Sequence, residues 1–185
     1  QGDNTYAYTF HNGIKANKIY FKTGTDGTTA EALPWSDPYN GYEYVDLGLS
    51  AKWATCNVGT LIPEGCGAYL DYSQACNVEW GGSWRLPNKA ELEELKIRCT
   101  WIWTTQNGVK GCKVTGPNGN SIFLPAAGIM IGSTLGNAGE QGYYWANSCS
   151  TSFPSYAWML HFNSNYVLVD YYQRFYGRTI RPVCP

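Results

Sequence analysis

With 185 residues, 44% of them hydrophobic and only 15% charged, the chain is long enough to bury a real core and draws its solubility from Gly, Asn, Ser, Thr and Tyr. A net charge of −1 without a basic stripe excludes a phosphate-tracking nucleic-acid surface. No run approaches the roughly 18 apolar residues of a membrane-spanning helix, so no span is expected.

The start at Gln1 reads as a processed or trimmed N-terminus. Residues 1–42 contain two strand-like pieces, Tyr6 to Phe10 and Lys18 to Lys22, between Gly, Asn, Asp and Pro clusters, and are expected to form an N-terminal extension. The domain proper, 43–185, opens on two short strands, Glu43 to Ser50 and Lys52 to Cys56. One helix follows Pro87-Asn88, with Asn88 as N-cap, Glu91 three residues on and apolar residues spaced along Lys89 to Lys96. Glu91, Glu93 and Glu94 are expected on its exposed acidic face. Cys99 to Thr105 returns to strand character, Asn107-Gly108 marks a hairpin, Asn118-Gly119 marks the next turn, and Ser121 to Ala127 is another apolar strand. Gly128 to Gly142 reads as a Gly-rich irregular loop.

The last stretch, Gly142 to Pro185, carries seven Tyr, three Phe and two Trp against four charged residues. Trp158, Leu160 and Phe162 alternate as an inward face, continued by Val167 and Val169 after the turn Asn163-Ser164-Asn165. Outward positions then include Tyr156, Met159, His161, Tyr166, Leu168 and Asp170, with Tyr171, Tyr172, Phe175 and Tyr176 near the chain reversal. Tyrosine offers a large contact area with few rotatable bonds and a polar tip, and these ten residues form the candidate ligand surface.

Set in order, Tyr44 to Ser50, Trp53 to Gly59, Trp80 to Pro87, Leu124 to Gly128, Gly142 to Trp145 and Gly177 to Val183 resemble the Fibrobacter succinogenes major paralogous domain family of Bacteroidetes surface proteins. The resemblance covers about residues 43 to 184. It implies an α+β, C-type lectin-like fold, irregular and loop-rich, with small antiparallel sheets and one or two helices. That architecture is related to formylglycine-generating enzymes and to the variable proteins of diversity-generating retroelements. It also implies that the first and last strands pair, making Cys56 and Cys184 the first disulfide candidate; Cys66 and Cys76, flanking a short loop, are the second. Seven cysteines and a Tyr-rich, Lys-poor composition fit an oxidising, extracytoplasmic setting, and the odd count leaves at least one thiol unpaired or linking chains. Against the family, the stretch between Gly67 and Trp80 is short and several cysteines are private to this chain.

The functional reading is an adhesin- or receptor-like protein, secreted or anchored at the outer surface, with a lipoprotein anchor as one form of attachment. Its ligand is expected to be an external protein rather than a glycan. Adenine-directed mutagenesis of an Asn codon ending in C yields the residue types at His161, Tyr166, Leu168, Asp170, Tyr171, Tyr172, Phe175 and Tyr176, whereas Met159 and Gln173 cannot arise that way. Catalysis is not expected: His161 has no nucleophile in register, and Ser148, Ser150, Ser152 and Ser155 sit in no recognisable elbow. No cofactor or metal is expected, because no Cys-x-x-Cys pair occurs and the loops lack the carboxylates that hold calcium. The alternatives are a calcium-independent carbohydrate-binding module or a structural subunit of a surface assembly. The Trp residues are assigned to core packing, and Arg85, Arg178 and Arg181 to hydrogen-bonding struts.

Overall fold

The structure, a computed structural model, describes residues 43–78 and 81–185. The expected extension over 1–42 and Trp80 lie outside the described residues. The described chain is strand-rich α+β, with three three-stranded antiparallel sheets, one two-stranded hairpin and two helices among the described residues. No helix among them is long and apolar enough to cross a membrane.

Strand β1 (Tyr44–Val45) pairs with β2 (Lys52–Ala54), and β2 pairs in turn with the last strand, β11 (Val183–Cys184). The ends of the domain are thereby joined. The antiparallel register places Cys184 opposite Lys52, and past it the Ala54 N–H donates to the Pro182 carbonyl and the Val58 N–H to the Ile180 carbonyl, so Cys56 runs beside the 180–182 segment rather than beside Cys184. The expected Cys56–Cys184 bridge is therefore corrected: both are free thiols, on neighbouring strands but not opposite one another. All seven cysteines are free thiols, Cys66 and Cys76 among them. Burial pushes the Cys112 thiol up to about 12 and raises Cys56 and Cys184 too, which makes these three inert packing residues.

A short helix, α1 (Tyr72–Cys76), precedes the one read at Lys89 to Lys96 and brings the helices to two, within the one or two that the resemblance implies. Its signal is local: Asp71 accepts from the Gln74 N–H at 2.8 Å, and Gln74 Oε1 accepts from the Asp71 N–H at 3.0 Å. The expected helix is α2 (Lys89–Arg98), closed by the same reciprocal box between Asn88 and Glu91. Glu91 is a correction. It is buried, and its carboxylate receives both terminal nitrogens of Arg85, at 2.8 and 2.5 Å, while also capping the helix. Leu92 and Leu95 turn into the core.

Strands β3 (Thr100–Gln106), β4 (Val109–Thr115) and β5 (Ser121–Pro125) form a meander. Asn107 and Gly108 take φ of 47° and 83°, the paired left-handed conformation that suits a two-residue hairpin to the twist of its strands. The expected irregular loop after it contains a further hairpin, β6 (Ile129–Ile131) with β7 (Thr134–Gly136), turned at Gly132. Met130 and Gly177 exchange backbone hydrogen bonds at 2.8 and 2.9 Å, which ties this hairpin to the C-terminal segment.

The remaining sheet has the order β10–β9–β8, from β8 (Gly142–Cys149), β9 (Tyr156–Phe162) and β10 (Val167–Gln173). Leu160 and Phe162 enter a core with Trp53, Leu92, Leu95, Val114, Leu124 and Tyr144, and Trp158, Val167 and Val169 pack at its margin. The inward alternation read from the sequence is therefore present. The opposite face of the same strands is buried as well at one end, where Ala157, Met159 and Trp145 pack with Tyr72, Leu86 and Ile180. Met159, expected on the ligand surface, is 3% exposed; the cause is a second core beneath that half of the sheet.

Candidate functional site

Period-two geometry divides the ten candidate residues between two faces of the sheet. Cross-strand pairs place Leu168 opposite His161, Asp170 opposite Met159 and Tyr172 opposite Ala157 on one face. Tyr171 lies opposite Trp158 on the other, so Tyr171 and Tyr172 point in opposite directions.

On the first face, the His161 ring stacks on Tyr143 at 4.3 Å and 13°, and Tyr166 meets it edge-on at 5.1 Å. His161 Nε2–H donates to Gln141 Oε1 at 2.8 Å, and the Tyr143 hydroxyl donates to the same oxygen. Burial, with Arg178 nearby, lowers the His161 pKa, and Asp170 opposes that shift. The imidazole is thus a neutral, fixed part of the surface near pH 7. Leu168, Asp170, Tyr172 and Phe175 are exposed around it. Tyr172 lies 5.7 Å from Tyr176 and Tyr176 4.3 Å from Phe175, with the planes inclined at 33° and 42°. Phe175 also lines a shallow groove of about 410 Å³ with Asp71, Ser73, Ser155 and Arg174.

On the second face, Tyr171 meets Trp158 at 5.1 Å and Phe153 at 5.7 Å, and the Lys89 ammonium sits 3.7 Å over the Trp158 ring. Tyr156, at the end of the hairpin, touches both sets, 6.0 Å from Tyr171 and 6.3 Å from Tyr172. The structure thus groups His161, Tyr166, Leu168, Asp170, Tyr172, Phe175 and Tyr176 and separates Tyr171 from them.

Three contributors were not among the expected residues: Tyr143, Gln141 and Arg178. Arg178 is fully buried under the first face, its guanidinium carbon 4.0 Å over the Trp145 ring and 5.5 and 5.6 Å from those of Tyr172 and Tyr176. Arg181 is a strut: it donates to Asn57 Oδ1 and to the carbonyls of Ala54, Thr55 and Phe123. No sequence signal separates two arginines three residues apart in one segment.

Ser148 Oγ accepts from the Lys89 N–H and Ser150 Oγ from the Phe153 N–H, so these hydroxyls serve the backbone. Among the described residues no cluster of three or more His, Cys, Asp or Glu is arranged to hold a metal. No curated protein and no solved structure matches the chain. The match is to a family model: it spans residues 82–183, more than half of the chain and the whole of this sheet, and the chain accordingly belongs to the family described as a domain of unknown function (DUF8237).

Proposed function

We propose that the protein is a non-catalytic, external ligand-binding domain of C-type lectin-like fold, adhesin- or receptor-like, that uses the outward face of the β8–β9–β10 sheet. The observation that carries this reading is a set of exposed or half-exposed rings, Tyr172 on β10 and Tyr166, Phe175 and Tyr176 in the turns at its two ends, beside β9, whose Leu160 and Phe162 are core. His161, stacked on Tyr143, and Tyr166, held edge-on to His161, are ordered before contact, so less entropy is lost on binding. The motifs resembling the Fibrobacter succinogenes major paralogous domain family support the fold assignment and a secreted or outer-surface location.

Protein is favoured over glycan as the ligand by the ring planes. Inclinations of 33°, 42° and 86° between neighbours make a mixed, uneven patch rather than the flat platform on which pyranose rings stack. Retroelement-driven variation at His161, Tyr166, Leu168, Asp170, Tyr172, Phe175 and Tyr176 belongs to the same proposal. The burial of Met159, which the Asn-codon route cannot produce, is in keeping with it.

The test compares wild type with a Tyr166/Leu168/Tyr172/Phe175 alanine variant, after both are shown to fold, on bacterial and host cells and on a glycan array. Loss of cell binding with a blank array supports a protein ligand on this face. Undiminished cell binding by the variant refutes the proposed location, and array binding by wild type refutes the choice of protein.

A further inference from the structure

Two fully buried arginines lie under or beside the C-terminal sheet, and they are treated differently. Arg181 engages all three of its nitrogens. Arg178 makes a single hydrogen bond, from Nη1 to the Gln173 carbonyl at 3.1 Å, while Nε and Nη2 are buried without a partner. These two atoms are not a random pair. With Nη1 engaged, Nε–H and Nη2–H form the parallel side-on fork of the guanidinium, the edge that matches the two oxygens of a carboxylate.

The rings of Trp145, Tyr172 and Tyr176 offer their π systems to the cation. Ring faces do not replace in-plane acceptors for two N–H groups. No Asp or Glu among the described residues is in ion-pair contact with Arg178, and the carboxylate on the same face, Asp170, accepts from the Tyr171 N–H at 2.7 Å. The guanidinium is charged at neutral pH, though burial brings its pKa down to about 10.

We propose that the Nε–Nη2 edge of Arg178 receives a carboxylate from an acidic segment of the protein ligand, with Tyr172 and Tyr176 as a cover that turns aside. The proposal rests on the reading of this face as the binding surface. Tyr172 is 45% exposed and its hydroxyl has no hydrogen-bond partner among the described residues, so turning the ring outward gives up only its ring contacts with Tyr156 and Tyr176 and its contact with Arg178. The desolvation of the cation is already borne by the free fold. An arriving carboxylate satisfies two donors that a neutral amide cannot match equally, so the contact discriminates Glu from Gln.

The experiment follows the Arg178 Nε–H resonance of the full chain by nitrogen-15 NMR during titration with a short Glu-rich peptide, its Gln counterpart and glucuronate. Expected are a saturable shift of that resonance with the Glu peptide and binding at least about tenfold weaker with the Gln peptide. Arg178→Lys, which keeps the charge and loses the fork, is expected to weaken the Glu peptide at least about tenfold. Tyr172→Ala leaves the fork intact and is expected to retain the Glu preference. An unmoved Arg178 resonance, or equal affinity for Glu and Gln peptides, overturns the proposal, and tighter binding of glucuronate than of the Glu peptide overturns the assignment to a protein. If Tyr166 and Leu168 respond equally to both peptides, the carboxylate assignment falls while the face stands as a binding surface. The cell-binding comparison judges the face itself.

Discussion

Arg178→Met and Arg181→Met, the same substitution three residues apart, should have unequal consequences for stability, a large loss at Arg181 and little or none at Arg178. Arg181 is 1% exposed and makes four hydrogen bonds of 3.0 Å or shorter, at 2.8, 3.0, 2.6 and 2.9 Å, to Asn57 Oδ1 and the carbonyls of Ala54, Thr55 and Phe123, with a longer fifth, at 3.5 Å, to the Pro63 carbonyl. Bonds from a charged donor contribute about 1.5–3 kcal/mol each, so the gross loss is about 6–12 kcal/mol. Removing the buried ion returns several kcal/mol of desolvation, which leaves a net cost of about 3–5 kcal/mol. For a domain of this size that lowers Tm by about 10–15 °C. Arg178→Met removes one hydrogen bond and a set of cation–π contacts while relieving two unpartnered donors, and an apolar residue of similar volume in such a place is neutral or stabilising. Its stability is expected within about 1 kcal/mol of wild type or above it. Paired thermal and urea unfolding curves measure both. Equal losses in the two variants would refute the distinction between a strut and a reserved donor pair.

Gly142→Ala should destabilise by about 2 kcal/mol or more in the same unfolding assay, because a Cβ there would stand 2.3 Å from Cζ of the fully buried Phe162 ring; a change below about 0.5 kcal/mol would contradict the packing. His161 titrates below its ordinary value of 6.5 in the fold, so the unfolded chain takes up the proton first. Stability should therefore be full above about pH 6.5 and fall as the pH drops from there toward the folded pKa, a loss absent in His161→Gln; an NMR titration placing His161 at or above 6.5 would show the sign to be wrong. Cys149 Sγ lies 3.4 Å from the Tyr72 hydroxyl, which Cys76 also contacts, and both thiols are exposed. Equilibration with oxidised glutathione should join Cys76 to Cys149, releasing two equivalents of glutathione, and peptide mapping that finds Cys56 joined to Cys184 instead would overturn the register between β2 and β11.

What could be read from the sequence was what short-range chemistry specifies. Asn88 and Glu91 announce α2, Asn107-Gly108 announces the β3–β4 turn, and Trp158, Leu160 and Phe162 announce one buried side of β9. What could not be read depended on which elements meet. Met159 alternates as a surface residue should, but α1 and the Ile180 segment close over it. Glu91 belongs to an acidic run, yet Arg85, six residues earlier, draws it inward. Tyr171 and Tyr172 are adjacent and identical in type, and only the pairing of β9 with β10 assigns them to opposite faces. Arg178 became visible as a candidate only through its missing partners.

The central claim, that ligand binds the outward face of β8–β9–β10, is tested most directly by hydroxyl-radical footprinting of the protein, free and bound to the cells that retain it. Protection of Tyr166, Leu168, Tyr172 and Phe175, with Phe153 and Tyr171 labelled equally in both states, is the predicted result. Protection concentrated at Phe153 and Tyr171, with the outward rings still fully labelled, would contradict it.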